Sequence, residues 1–248
     1  MGRWSGMLAA EVIDWLELRA GLRWLDVGCG TGAASHAALE KARPMSLVAV
    51  EPSAEYAAAA RIRLNDPRVR VVLGTADELP LPDSCVDVAI SGLVLNFVPD
   101  PEGAIREMRR VLVPGGEVVA YVWDYSDGME MLRHFWDAAR RDVPLAADLD
   151  EGTRFPICLP GNLAACLTAA GLDTVERIAI EVPTVFRDFD DYWTPFLGGQ
   201  GPAARYVQAL PPAAKRLLRS RLCEILAAEG DEPLRLSARA WVARGVST

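Results

Sequence analysis

The stretch Leu25-Asp-Val-Gly-Cys-Gly-Thr-Gly-Ala-Ala-Ser35, LDVGCGTGAAS in one-letter code, decides how the chain is read. A short apolar run breaks into alternating glycines and then turns helix-forming, which spells strand, tight loop, helix start. Gly28, Gly30 and Gly32 lack a Cβ, so they can take positive φ and let a ligand approach bare backbone at the carboxyl edge of a sheet. Loop amides pointing outward, with the positive end of the helix that begins near Thr31, would suit a carboxylate or phosphate on a nucleoside-containing ligand.

The loop by itself fits two templates. Gly28, Gly30 and Ala33 satisfy the dinucleotide pattern G-x-G-x-x-G/A. Asp26, two residues before the first glycine, argues the other way, because a carboxylate there repels a pyrophosphate and favours a ligand with a cationic end. With Gly32 included, the string Asp26-Val-Gly-Cys-Gly-Thr-Gly32 resembles motif I of the class I S-adenosylmethionine (SAM) methyltransferases.

Further positions follow in order along the chain. SLVAVE ends in Glu51, about 20 residues past Gly30, where a Rossmann-like sheet presents an acid to two ribose hydroxyls. Both cofactors carry such a ribose, so Glu51 supports the fold without choosing the ligand. Ser53 can cap the next helix, and Asn65-Asp66-Pro67 stops it. After a third strand, VRVVLG, comes Ala76-Asp77; the resemblance implies that these read the adenine, through a backbone N–H and a carboxylate. VDVAIS is the fourth strand, with Asp87 at the family's F/V-D-hydrophobic position. GLVLNFVPDPEGAIREMRRVLVPGGEVVAYVW resembles the helix, Pro-Gly-Gly turn and fifth strand of the small-molecule branch typified by quinone-biosynthesis methyltransferases. In that helix Ile105, Met108 and Leu112 line one face and Pro114 ends it.

The resemblance covers roughly the first half of the chain. It implies an α/β fold, a Rossmann-like doubly wound sheet of seven strands, mostly parallel with an antiparallel last strand and helices on both faces. It also implies SAM as cofactor, with S-adenosylhomocysteine as product, held by Asp26, Gly28, Cys29, Gly30, Glu51, Pro52, Ala76, Asp77 and Ser91. The expected activity is methyl transfer to a small-molecule acceptor; a SAM-binding module without catalysis and an NAD(P)-dependent oxidoreductase are the alternatives. Ser91-Gly92-Leu93-Val94 lacks the N/D-P-P-Y/F/W signature of amino-methylating nucleic-acid enzymes, and no Pro-Cys loop marks a cytosine C5 enzyme.

Composition narrows the rest. The chain has 248 residues, 51% of them hydrophobic, enough for one α/β core with a modest insertion, so a single domain over 1–248 is expected. A net charge of −8 opposes binding to a phosphate backbone, so no nucleic-acid partner is expected. No apolar run approaches the ~18 residues of a membrane span, and the start lacks a signal-peptide layout, so no membrane and a cytoplasmic location are expected. The five cysteines are scattered without a C-x-x-C pair, so neither disulfides nor a metal is indicated.

Outside the motifs the reading is more local. Residues 7–19 place Leu8, Val12, Trp15 and Leu16 on one helical face, and Met1–Gly6 resembles the closing part of a segment that folds over the cofactor; together, 1–20 is a cap segment. Residues 128–141 place Leu132, Phe135, Trp136 and Ala139 at helical spacing, with His134 beside them. A helix from Asn162 stops at Gly171, and the strand DTVERIAIEV follows. FRDFDDYWTPFLGGQGPAARYV, rich in aromatics and broken by Gly and Pro, is a lid candidate. An amphipathic helix through Leu217, Leu218, Leu222 and Ile225 and a final strand, Leu234–Gly245, complete the chain. Segments 124–144 and 186–230 are therefore candidates to cover the acceptor, with Asn96 and His134 as orienting groups and Trp136 and Trp193 as walls.

Overall fold

A computed structural model describes residues 2–141, 149–198, 201–227 and 233–248. Parts of the cap and lid segments, residues 1, 142–144, 199–200 and 228–230, lie outside the described residues. Seven strands form one sheet in the order β3-β2-β1-β4-β5-β7-β6. They are β1 (Arg23–Val27), β2 (Ser46–Glu51), β3 (Val69–Leu73), β4 (Val86–Gly92), β5 (Leu112–Trp123), β6 (Asp173–Phe186) and β7 (Leu234–Val246). The first five pair in parallel: β1 with β2 and β4, β2 with β3, and β4 with β5. β7 runs antiparallel to β5, since Gly115 and Gly116 exchange backbone bonds with Ser247 while the amide of Asp124 donates to the carbonyl of Arg239. The expected sheet, with its one reversed strand, is the observed one.

The chain divides into two compact units. The first comprises Met1–Val122, Pro160–Ile180 and Ala240–Thr248, and contains β1 to β4. Its central strands are buried on both faces, so Trp24, Leu25, Val27, Leu47, Val88 and Ile90 read as apolar runs and not as alternation. The helices that cover them are α1 (Gly2–Leu16), α2 (Ala33–Lys41), α3 (Ala54–Arg63), α4 (Pro101–Val111) and, later in the chain, α7 (Asn162–Ala169). Ser53 caps α3 by accepting the amide of Tyr56, as its position suggests. Asp87 has a structural use: its carboxylate takes the backbone amide of Arg23 at 2.8 Å and the guanidinium at 2.9 Å, tying the start of β4 to the start of β1.

Two expectations need correction in this unit. The helix expected over 7–19 starts and ends earlier: α1 runs Gly2–Leu16, and within its first turn Trp4 is buried under the Arg3 guanidinium. α4 stops at Val111, ahead of Pro114, because Leu112 already takes extended backbone and enters β5; the Pro-Gly-Gly residues form the irregular start of that strand.

The second unit comprises Trp123–Leu159 and Glu181–Arg239. It holds α5 (Glu130–Arg140), the single turn α6 (Glu151–Arg154), α8 (Phe189–Leu197), α9 (Gly201–Ala209) and α10 (Pro212–Ile225). The segment expected to be a loop-like lid is thus helical: Asp188 caps α8 through the amide of Asp191. Its aromatic side chains face inward. Phe135 stacks on Phe196 at 4.4 Å, Tyr192 meets Phe186 at 5.3 Å, and the Tyr192 hydroxyl donates to the Met131 carbonyl at 2.9 Å. Asp150, fully buried, is held by the guanidinium groups of Arg133 and Arg140.

Candidate functional site

β1 lies between β2 and β4, where the strand order reverses and an open α/β sheet forms its crevice. The carboxyl end of β1 delivers Asp26 and then the glycine loop. Gly28 takes φ +72°, and a Cβ there would stand 2.5 Å from Cγ1 of Val94 in the loop after β4, so only glycine lets the two loops approach. Gly30 takes φ +55° with open space on its Cβ side.

The amides of this loop are spent internally, contrary to the outward-pointing donors expected from sequence. Gly28 and Cys29 both donate to the Val50 carbonyl, at 2.8 and 3.0 Å, Gly32 donates to Cys29, and Gly30 donates to Oε2 of Glu51 at 2.8 Å. The loop has to close the carboxyl end of β2 before it can serve a ligand. A pyrophosphate would find these four donors taken.

Carboxylates remain instead. Asp26 is buried in the strand end, and Oδ2 accepts both the amide of Ser35 at 3.0 Å and its hydroxyl at 2.6 Å. Oδ1 is enclosed and has no partner among the described residues. Burial pushes the Asp26 carboxyl up to about 6, with the Ser35 bonds opposing and the charge of Glu51 adding. Glu51, also buried, accepts Gly30 through one oxygen and the amide of Ser53 at 3.0 Å through the other. Each oxygen keeps one lone-pair direction, which is the acceptor set a vicinal diol requires.

The other cofactor candidates arrange around this edge in sequence order. Gly74, after β3, donates to the Glu51 carbonyl, and Ala76 and exposed Asp77 follow it. Pro52 is exposed; Ser91 is buried and donates its hydroxyl to the Val27 carbonyl at 3.1 Å. Cys29 is buried, and desolvation first, then Asp26 and Glu51, push its thiol far up, so it is not a nucleophile.

Two residues missed from the sequence belong here. Tyr121 in β5 is paired with Gly92, and a Cβ on Gly92 would be 2.2 Å from the phenol oxygen. Burial, and then the charge of Asp26, hold that phenol protonated. In sequence it is one more apolar letter of a strand; only the glycine opposite it marks it out. Leu93 takes φ +63°, strained for a branched side chain, at the turn out of β4.

The acceptor-side candidates divide between the units. Asn96 lies in the 3₁₀ turn Leu95–Phe97 of the first unit, buried, with Nδ2 unpartnered among the described residues. His134, Trp136 and Trp193 belong to the second unit. His134 is half-buried on α5; Trp136 is fully buried and donates Nε1 to Oε2 of Glu151 at 2.6 Å; Trp193 is buried against Phe196 at 5.9 Å.

Comparison with known proteins agrees with this geometry. A family model described as "Methyltransferase domain" matches residues 25–120, the stretch from β1 into β5 that carries the glycine loop, Asp26 and Glu51. The fold is that of the class I SAM-dependent methyltransferases. An uncharacterized methyltransferase of Mycobacterium tuberculosis is 41% identical over 117 residues, 47% of this chain and 46% of the relative. A malonyl-[acyl-carrier protein] O-methyltransferase of Pectobacterium atrosepticum is 34% identical over 121 residues, 49% of this chain and 46% of the relative. The matched part is thus about half the length of these curated relatives. Among solved structures, the YcgJ protein of Bacillus subtilis superposes with a TM-score of 0.62 at 19% identity, over 96% of this chain and 97% of that one. In this methyltransferase fold no helix among the described residues is long and apolar enough to cross a membrane.

Proposed function

We propose that this protein binds SAM and transfers its methyl group to a small-molecule acceptor, with residues 1–248 working as one methyltransferase domain in the cytoplasm. The observation that carries the reading is the pair of buried carboxylates at the glycine loop. Asp26 keeps one enclosed oxygen without a donor, Glu51 keeps one acceptor position on each oxygen, and four loop amides that a pyrophosphate would need are already bonded. Such a site is anionic and acceptor-rich, which suits a ligand with positive charge and a ribose diol. SAM supplies, when bound, a methyl group already activated on a positively charged sulfur.

The residues then have simple tasks. Asp26 balances positive charge, Glu51 takes the ribose hydroxyls, and Ala76 and Asp77 take the adenine. Gly28, Cys29, Gly30, Pro52 and Ser91 shape the floor of the site. In-line displacement asks the protein chiefly for alignment and exclusion of water. Tyr121, held protonated, is a hydrogen-bond donor rather than a base. For the acceptor, Asn96 is the orienting polar group within the first unit, and within the second unit His134 is the polar group and Trp193 and Trp136 are the aromatic ones. The malonyl-[acyl-carrier protein] O-methyltransferase among the relatives supports a small acyl acceptor, which in that protein's case is carried on a protein.

Incubating the protein with methyl-labelled SAM and fractionated metabolite extract tests the reading. Label is expected in a small-molecule fraction, and Glu51→Ala is expected to remove it. Transfer of label only to nucleic acid or to amino-acid side chains of protein would overturn the small-acceptor assignment.

A further inference from the structure

A cleft of about 350 Å³ opens at the amino edge of the sheet, lined by the last turns of α4, by Ser84, by Leu112 at the start of β5 and by Ser247 just past β7. All of these residues belong to the first unit, and none lies at the strand ends that hold Asp26 and Glu51. Three arginines face it, and they are not equivalent. Arg110 is saturated: Nε and Nη2 each bind Glu107 at 2.8 Å, Nη1 binds Asp83 at 2.6 Å, and the Leu79 and Leu81 carbonyls take further bonds. Arg106 pairs with Glu102 and Asp100. The Arg109 side chain has neither hydrogen bond nor ion pair among the described residues, and its Nε is enclosed without an acceptor.

An enclosed charged donor without an acceptor is unfavourable, and a guanidinium carries five such N–H groups in a planar fork matched to oxyanions. The negative end of α4 accounts for cations in its last turn, but it supplies no acceptor to this Nε. The Nη1 of Arg109 lies over Gly171, where a Cβ would stand 2.9 Å from it.

Two hydroxyls complete the lining. Ser84 holds φ +52°, left-handed for a residue that is not glycine, with its amide committed to the Arg110 carbonyl at 3.1 Å. Ser247 is buried, with its amide and carbonyl bonded to Gly116 and Gly115. Neither hydroxyl has a partner among the described residues.

We propose that this cleft is a second ligand site, separate from the cofactor loop, that takes the phosphoryl group of a small molecule on Arg109, Ser84 and Ser247. The phosphate oxygens accept from the Nη groups of Arg109, which are not enclosed, and from the two hydroxyls, Arg106 adds charge at the rim, and Leu112 offers an apolar flank for the rest of the ligand.

Thermal unfolding and calorimetry of the intact protein, titrated with inorganic phosphate, glycerol phosphate or chloride at matched ionic strength, test the site. Saturable stabilisation by phosphate or its monoester, absent with chloride, is expected; tighter binding of the monoester would identify a phosphorylated metabolite, and equal binding free phosphate. Arg109→Gln is expected to weaken phosphate at least tenfold while leaving SAM affinity unchanged. Ser84→Gly, which keeps the left-handed backbone, and Ser247→Ala are each expected to weaken it about threefold, so the test stands if the arginine variant folds poorly. Equal shifts with chloride, unchanged phosphate affinity in all three variants, or competition between phosphate and SAM would overturn the proposal.

Discussion

Between pH ~4 and ~6 the folded chain holds a proton on Asp26 that the unfolded chain has released, because burial raises this carboxyl from 3.8 to about 6. The raised value means that stability is highest below the ordinary carboxylate range and falls as pH rises through the window, by up to ~3 kcal/mol, then levels above pH ~6. Urea unfolding across that range is expected to show the loss in the wild-type protein and not in Asp26→Asn. A cationic ligand favours the ionised form, so SAM affinity is expected to rise with pH up to ~6 and then flatten; a flat profile in wild type would mean that Asp26 does not face the charge. Glu51→Ala removes an acceptor from the ribose and also from the amides of Gly30 and Ser53. SAM binding measured by calorimetry is expected to weaken by ~1.5–3 kcal/mol per charged bond lost, and a variant that binds like wild type would displace Glu51 from the site. Both acids were legible because each closes an apolar strand at a fixed distance from the loop. The fate of the loop amides was not, since it depends on the Val50 carbonyl of the neighbouring strand, which sequence spacing does not bring into view.

Helix α8 shows why one stretch of the second half was misread, although α5, α7, α10, β6 and β7 lie where the sequence put them. Phe189, Tyr192, Trp193 and Phe196 fall at i, i+3, i+4 and i+7, the spacing of one helical face, and all four are buried. Pro195 within the last turn and the glycines after it read as loop punctuation and masked that stripe. The proline is tolerated because the helix ends two residues later. Phe196→Ala would remove the stacked partner of Phe135 and is expected to cost ~3–5 kcal/mol in denaturant unfolding. Trp136→Phe leaves the buried Glu151 without its indole donor, at ~1–3 kcal/mol. Comparing the unfolding free energy of that variant with its KM for an acceptor separates a packing role from an acceptor-binding one; a raised KM with unchanged stability would put Trp136 in contact with the acceptor.

At the scale of the whole molecule, the seven strands and the helices α5, α7 and α10 were legible, and the helices α6, α8 and α9 were not. Each parallel strand ends at the functional edge, so fold and site share the same residues, and Asp26 and Glu51 report both, whereas Asp87 reports the fold alone. The second unit is assembled from 123–159 and 181–239 around aromatic side chains whose partners are far apart in sequence, and helical periodicity alone does not pair them. Charge acts at this scale too: at −8 the molecule repels polyanions. The central claim is that the two buried carboxylates select a cationic nucleoside over a dinucleotide. Calorimetric titration of the wild-type protein with SAM and with NAD at neutral pH tests it most directly. One-to-one binding of SAM, lost in Glu51→Ala, with no heat from NAD is the expected result; saturable binding of NAD with none of SAM would contradict it.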